Sequence, residues 1–455
     1  MHTDKKKRTG RKVLYGILIF FVIAIISAAI YLNSLMPIIT GYAAKNLCSS
    51  VFISERSQED VEALDLDFSF ISYVNSELDT EAQAVTSSFL WGKSTAVYRD
   101  GFGVTLLQEK TIDELKETEF PDISPGYSGD TLAWPMGDVL PDSLSEYGND
   151  ELHKISQELV NKQAYGGTAF AFMVVHKGVP VAEAYMNGMN RNTKLLSWSM
   201  AKSVTNALVG TMVKDSVISI YDNNLIEKWS DDGRRDITIE NLMHMQSGLE
   251  WNEDYGNRSD VTVMLHCEPD FAEYAYTRPL EHEPGSHWYY SSGTTNIVSY
   301  ILRQQFDKDD EYYSFPHKSL FHKLGITGAV FEADESGTLV GSSYLYMTAR
   351  DYARFALLYL QDGMFDGKQI LPEGWVDYTV SPASGSDRAY GSFFWLNRGG
   401  KIASAPADMY MCQGHDGQRI FIIPSLDLVT VVLGYSPDDA MDFEGLLSDI
   451  IAAVS

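Results

Sequence analysis

The chain has 455 residues, room for two or three domains or one enzyme-sized fold, and 45% hydrophobic with 12% aromatic residues excludes a disordered or linker-dominated protein. Thirty-five basic against 62 acidic residues give a formal charge of −27, which repels phosphate backbones and argues against a nucleic-acid partner. Three cysteines, Cys48, Cys267 and Cys412, allow at most one bridge, and neither a C-x-x-C nor a zinc-ligand spacing occurs.

The charge is unevenly placed. Residues 1–12 hold Lys5, Lys6, Lys7, Arg8, Arg11 and Lys12 against Asp4, a net +5, so the rest carries −32. Residues 13–32 then run without a charge, and as a helix they span ~30 Å, the thickness of a bilayer core. With the basic block on the N-terminal side, the positive-inside rule predicts a cytoplasmic tail over 1–12 and a single-pass plasma-membrane anchor over 13–32. Everything after it then lies outside the cytoplasm. A cleaved secretory signal ending near Ser27-Ala28-Ala29 would export the same domain, but the apolar run continues through Leu32 to full spanning length.

Residues 33–150 mix short apolar patches, acidic stretches and Pro/Gly turns such as Pro125-Gly126, and read as a lead-in segment packed on a main domain over 151–455. Residues 168–175 and 179–185 flank His176-Lys177-Gly178 as a predicted hairpin. From 199 to 375 the pattern is mostly helical, for example 351–360 with Thr348 as N-cap and Gly363 as stop. Strands are predicted again at 392–396, 418–423 and 428–433, before a last helix over 442–454. Strands bracketing helices predict an α/β (α+β) fold: one antiparallel sheet assembled from both ends of the domain, with a helical insertion between them.

The strongest chemical signal is Ser199-Met200-Ala201-Lys202, a Ser-x-x-Lys opening an amphipathic run. With Ser199 in the first turn of a helix, Lys202 at i+3 lies on the same face and its amine reaches the hydroxyl. The helix N-terminus favours the alkoxide and disfavours the ammonium. No G-x-S-x-G offers a rival serine.

Two later segments extend this: Tyr289-Tyr290-Ser291-Ser292-Gly293, leading into a helical apolar run, and Gln413-Gly414-His415-Asp416-Gly417-Gln418, leading into a strand. In this order, together with 237–249, 348–355 and 363–375, they resemble the serine β-lactamase and penicillin-binding-protein superfamily. The nearest likeness is to class C β-lactamase-like hydrolases of the 6-aminohexanoate-dimer hydrolase group. The resemblance implies Ser199 as nucleophile, Lys202 as its base partner, and Tyr290 as first residue of a Tyr-x-Asn element. A Tyr290 pKa depressed by Lys202 would let that residue relay the proton. It also implies an oxyanion hole from the backbone N–H groups of Ser199 and Gln418, with Gly414 and Gly417 letting a strand approach the substrate closely.

The sequence departs from the pattern where substrate is read. His415-Asp416-Gly417 stands at the Lys-Thr-Gly strand element, and a largely neutral histidine binds carboxylate less strongly than lysine. Ser292 stands where the superfamily often has Asn, removing a side-chain amide. Both substitutions point away from β-lactams and toward small amides, esters or peptides, cleaved through an acyl-serine intermediate without a cofactor. His266-Cys267-Glu268 and the pair His282 and His287 suggest a metal only weakly, for want of H-E-x-x-H or a third ligand. Cys412 reads as a small buried hydrophobe. The rival function is a membrane-anchored sensor that kept the fold but turns over slowly or not at all.

Overall fold

The computed structural model describes residues 2–140, 150–437 and 440–454. Its first element, α1 (His2–Phe52), does not stop where the apolar run 13–32 ends. Residues 13–32 are exposed, whereas Met36, Ala43, Ala44, Leu47 and Cys48 are buried, so one helix leaves the apolar stretch and enters the body of the protein. The part from Lys12 to Phe52 is long and apolar enough to cross a membrane.

That buried half of α1 packs on a sheet that the sequence did not reveal. Strands β1 (Asn75–Asp79), β2 (Ala84–Phe89), β3 (Gly92–Arg99) and β4 (Gly103–Leu106) form a four-stranded antiparallel meander. Val85, Ala96, Val104 and Leu106 meet the helix, and Tyr346 of the following region closes the same cluster. The strands hide from pattern reading because their other positions are small or polar, as in Thr86-Ser87-Ser88 and Lys93-Ser94-Thr95, with few apolar residues to alternate.

Helix α2 (Asp150–Lys162) leads into β5 (Thr168–His176) and β6 (Val179–Tyr185), the predicted hairpin, whose turn has Lys177 and Gly178 both at positive φ. The short β7 (Leu195–Leu196) precedes α3 (Met200–Lys214). Farther on lie α4 (Ser292–Arg303), β8 (Val330–Phe331), β9 (Leu345–Met347) and α5 (Ala349–Leu360), the last capped by Thr348 in a reciprocal box with Asp351. The chain then returns to the main sheet through β10 (Trp395–Leu396), β11 (Tyr410–Gln413), β12 (Arg419–Ile423) and β13 (Leu428–Tyr435), and ends in α6 (Phe443–Val454).

The main sheet runs β10-β11-β12-β13-β5-β6 with every neighbour antiparallel, and β13 pairs with β5 from Leu428 opposite His176 to Tyr435 opposite Thr168. The two ends of the domain are thus stitched into one sheet. Its pleat sorts side chains to two cores. Phe172, Val174, Phe421 and Ile423 face Leu152, Leu159, Leu446 and Ile450 of α2 and α6. Met173, Val175, Ile420 and Ile422 face the helical layer with Val204, Tyr352 and Phe355. One predicted strand is shorter than expected. Over 392–396 only Trp395–Leu396 is extended, because Phe393 has φ 58, which breaks the pleat, and its N–H bonds Met243 O.

Candidate active site

Ser199 is the N-cap of α3, placed there by an elbow between β7 and the helix. The residue before it, Trp198, adopts φ 44, a left-handed backbone that a bulky side chain rarely takes. The elbow is held from both sides. Ser197 N–H donates to Leu345 O at 2.8 Å and its Oγ to Trp198 O at 2.8 Å, while Gly414 approaches so closely that a Cβ there would sit 2.3 Å from Ser197 O.

One turn into α3, buried Lys202 points its Nζ back to Ser199 Oγ at 2.9 Å. It also donates to Ser292 Oγ at 2.9 Å and to Ser342 O at 3.0 Å, so all three ammonium donors are matched by neutral acceptors. Burial lowers the Lys202 pKa to about 8, against the opposing pull of the Glu253 carboxylate. Glu253 reaches the site from the loop after Trp251. It accepts from Ser292 N–H at 2.8 Å, from Ser292 Oγ and from Trp251 Nε1. Ser292, fully buried at the start of α4, therefore stands between the lysine and the carboxylate, and its hydroxyl faces the lysine network.

Glu253 is the site residue that sequence reading missed. It is one acid among 62, lies 39 positions before Ser292, and sits in no periodic pattern that would single it out.

Tyr290 lies over the same centre. Lys202 Nζ is 4.9 Å from its ring centroid, and the ring packs edge-on against Tyr390 and tilted on Trp395. The expected depression of its pKa is not found. Desolvation and the Glu253 charge push the phenol well up, and Ser199 and Arg419 offset this only in part. The phenol is therefore held protonated, because its surroundings desolvate the phenolate more than any cation stabilises it.

His415, Asp416 and Gly417 form a tight turn between β11 and β12 rather than part of a strand, with Asp416 at φ 52. The half-buried His415 ring stacks on Tyr255 at 4.7 Å and meets Trp198 edge-on at 5.5 Å. Asp416 lines a small cavity of about 40 Å³ shared with Tyr42, Asn46 and Gln418. The close approaches of Gly414 and Gly417 are to Ser197 and Ser436, so these glycines pack the turn against the elbow before α3 and the residue after β13. Gln418 straps the turn to β13 through its side-chain amide, which donates to Gly434 O at 2.6 Å and accepts from Gly434 N–H at 3.0 Å. Its backbone N–H makes a long contact of 3.4 Å to His415 O.

His266 packs edge-on against Tyr42, and burial with nearby Lys45 lowers its pKa to about 3. The His282 and His287 rings lie 4.2 Å apart, and no group of three potential metal-ligating side chains occurs among the described residues. Cys412 is buried in β11, where desolvation pushes its thiol up to about 12.

A serine at a strained elbow with a buried lysine one turn along can be compared with known proteins. The Beta-lactamase family profile matches residues 152–452. The chain belongs to that family. The 6-aminohexanoate-dimer hydrolase of Paenarthrobacter ureafaciens is 24% identical over 327 residues, 63% of this chain and 77% of that protein. Among solved structures, a Bacillus anthracis protein assigned as a 6-aminohexanoate-dimer hydrolase superposes with a TM-score of 0.57 at 21% identity, covering 74% of this chain and 90% of the other. A penicillin-binding-protein homologue from Caulobacter crescentus gives 0.52 at 14% identity, covering 70% and 99%. These two likenesses are of fold. The family match begins inside α2, so α1 and the four-stranded meander of this β-lactamase-family chain lie outside it.

Proposed function

We propose that this protein is a membrane-anchored serine hydrolase that cleaves a small amide or ester through an acyl-enzyme on Ser199. The observation that carries the reading is the 2.9 Å contact from Lys202 Nζ to Ser199 Oγ, with the lysine pKa brought down to about 8. Near that pH a substantial fraction of Lys202 is neutral and accepts the serine proton as Ser199 attacks the carbonyl. Tyr290, protonated at the mouth of the same network, donates to the departing amine or alkoxide and regains its proton from the Lys202 ammonium. Water then attacks the acyl-serine and Ser199 recovers its proton as the acid leaves. The backbone N–H groups of Ser199 and Gln418 serve as oxyanion donors, the second of them turning from its long bond to His415 O as substrate enters.

Family membership supports hydrolysis, and the curated relative's name supports a small amide as substrate. The aromatic setting of His415 and the engagement of Ser292 with Lys202 leave neither side chain as a ready carboxylate reader. The anchor reading is supported by the exposed run 13–32 of α1 and the basic residues before it, and the positive-inside rule favours a catalytic domain outside the cytoplasm.

A fluorophosphonate probe on the full-length protein should label Ser199 and nothing else, and Ser199→Ala should abolish both labelling and p-nitrophenyl butyrate turnover. Label on another serine, or unchanged turnover by the variant, overturns the mechanism. If the protein labels yet releases no product, it is instead a slow acylating sensor. The kcat/KM for p-nitrophenyl butyrate should exceed that for nitrocefin by roughly ten- to a hundred-fold, the value of one lost charge-assisted contact. Efficient nitrocefin turnover would show that His415 does not exclude β-lactams.

A further inference from the structure

The β2–β3 hairpin breaks two local rules at once. Its turn is Leu90-Trp91, where glycine, asparagine or aspartate is favoured, and Leu90 is held at φ 51. Both side chains are exposed, Leu90 by 68% and Trp91 by 58%, and Trp91 is the exposed tryptophan among the eight of the chain. Just before β1, Phe70 and Tyr73 are exposed by 54% and 73%. Because Asn75 pairs with Ser88, this segment lies at the same end of the meander as the turn, and the Phe70 ring sits 6.2 Å from that of Phe89. Four large apolar or aromatic side chains therefore crowd one end of one sheet and face solvent.

That end has a fixed address on α1. Trp91 Nε1 donates to Asn33 Oδ1 at 3.0 Å, and Gly92 lies so close to the helix that a Cβ would be 2.6 Å from Met36 Cβ. Farther along β3, Ser94 meets Thr40 at 2.7 Å and Ala96 O meets Cys48, so the strand runs away from the apolar stretch as the helix does. Asn33 is the first residue after the apolar run 13–32, and at 1.5 Å per residue Met36 is only ~6 Å beyond it. The turn thus sits at the depth where the hydrocarbon core gives way to headgroups, the depth at which tryptophan and tyrosine rings are most favourably placed.

We propose that Leu90, Trp91, Phe70 and Tyr73 form a membrane seat that inserts into the headgroup and upper acyl region of the bilayer that α1 crosses. It fixes the tilt and height of the catalytic domain above the surface. The inference rests on the reading of α1 as an anchor. The occupant is lipid rather than a soluble partner because the patch is continuous with the membrane exit of the helix. The seat is aromatic rather than basic, which suits a chain whose exported part carries −32 and gains nothing from anionic headgroups.

The test uses the full-length protein reconstituted in phosphatidylcholine vesicles, washed with carbonate and floated through a density gradient. Tryptophan emission is then compared with that in vesicles of phosphatidylcholine brominated near the top of its acyl chains, where quenching is short-range. The wild type should float and lose a component equal to about one tryptophan in eight. Trp91→Phe should lack that component, and Phe70→Trp should gain one. If the protein floats but brominated lipid dims the wild type and Trp91→Phe equally, the seat is overturned while the anchor stands, as when a protein partner covers the turn. Failure to float after carbonate treatment overturns the anchor and the seat together.

Discussion

Two buried lysines, one in each half of the molecule, show how the same side chain is put to opposite uses. Lys45, on the inner half of α1, contacts the Glu332 carboxylate directly. That carboxylate also accepts from Ser49 Oγ at 3.0 Å and from Val104 N–H at 2.7 Å. The lysine is further braced 4.0 Å above the Tyr344 ring. Charge meets charge there, and the pair fastens the helix and meander to the hydrolase domain. Lys202 is as deeply buried, but its carboxylate, Glu253, is one hydroxyl away across Ser292. A direct pair would lock the lysine as an ammonium. Interposing Ser292 weakens the attraction enough for desolvation to prevail, and the amine gives up its proton more readily, as the proposed mechanism requires.

The largest effect that can break this contrast comes from removing each lysine in turn. Lys202→Met should cut kcat/KM by on the order of a thousandfold or more, since the proposed nucleophile loses its proposed base. It should leave the melting temperature unchanged or higher, because an apolar residue replaces a buried amine that has no direct counter-ion. Lys45→Met should do the reverse. Leaving Glu332 buried and uncompensated costs about 3–5 kcal/mol. Lys45→Met combined with Glu332→Gln should recover most of that loss in urea melts of the detergent-solubilised protein. Equal destabilisation by the two single variants would show that the lysines do not differ in kind.

The contrast also marks what the sequence could carry. Ser199 and Lys202 were legible because their relation is local: three positions on one helix, fixed by backbone geometry. The hairpin over 168–185 and the strands after 418 were legible because both faces of the sheet are buried and the runs are apolar. The four-stranded meander was not. Its strands β1 and β3 are mostly polar or small, and the hydrophobic surface they need is supplied by α1, whose apolar residues read as a continuation of a membrane span. Glu253 and the sign of the Tyr290 shift were illegible for another reason. Both depend on which groups are brought together and deprived of water, and spacing along the chain does not encode that.

The smallest effect is the sharpest probe of the arrangement. With Lys202 near 8, kcat/KM should rise with pH along a single limb as the ammonium loses its proton and the neutral base accumulates. Glu253 acts against that loss, because a nearby anion favours the charged lysine. In Glu253→Gln the opposing charge is gone, so desolvation acts unopposed, the Lys202 pKa falls, and the limb moves to lower pH. The plateau should drop by roughly tenfold or less, since a weaker base transfers a proton less readily. Ser292→Ala separates charge from contact: it removes the bridging hydroxyl but keeps the carboxylate, so activity falls while the limb does not move down. If Glu253→Gln lowers the rate at every pH without shifting the limb, the carboxylate merely positions Ser292. The distance at which each lysine meets its counter-charge would then not be what sets the two apart.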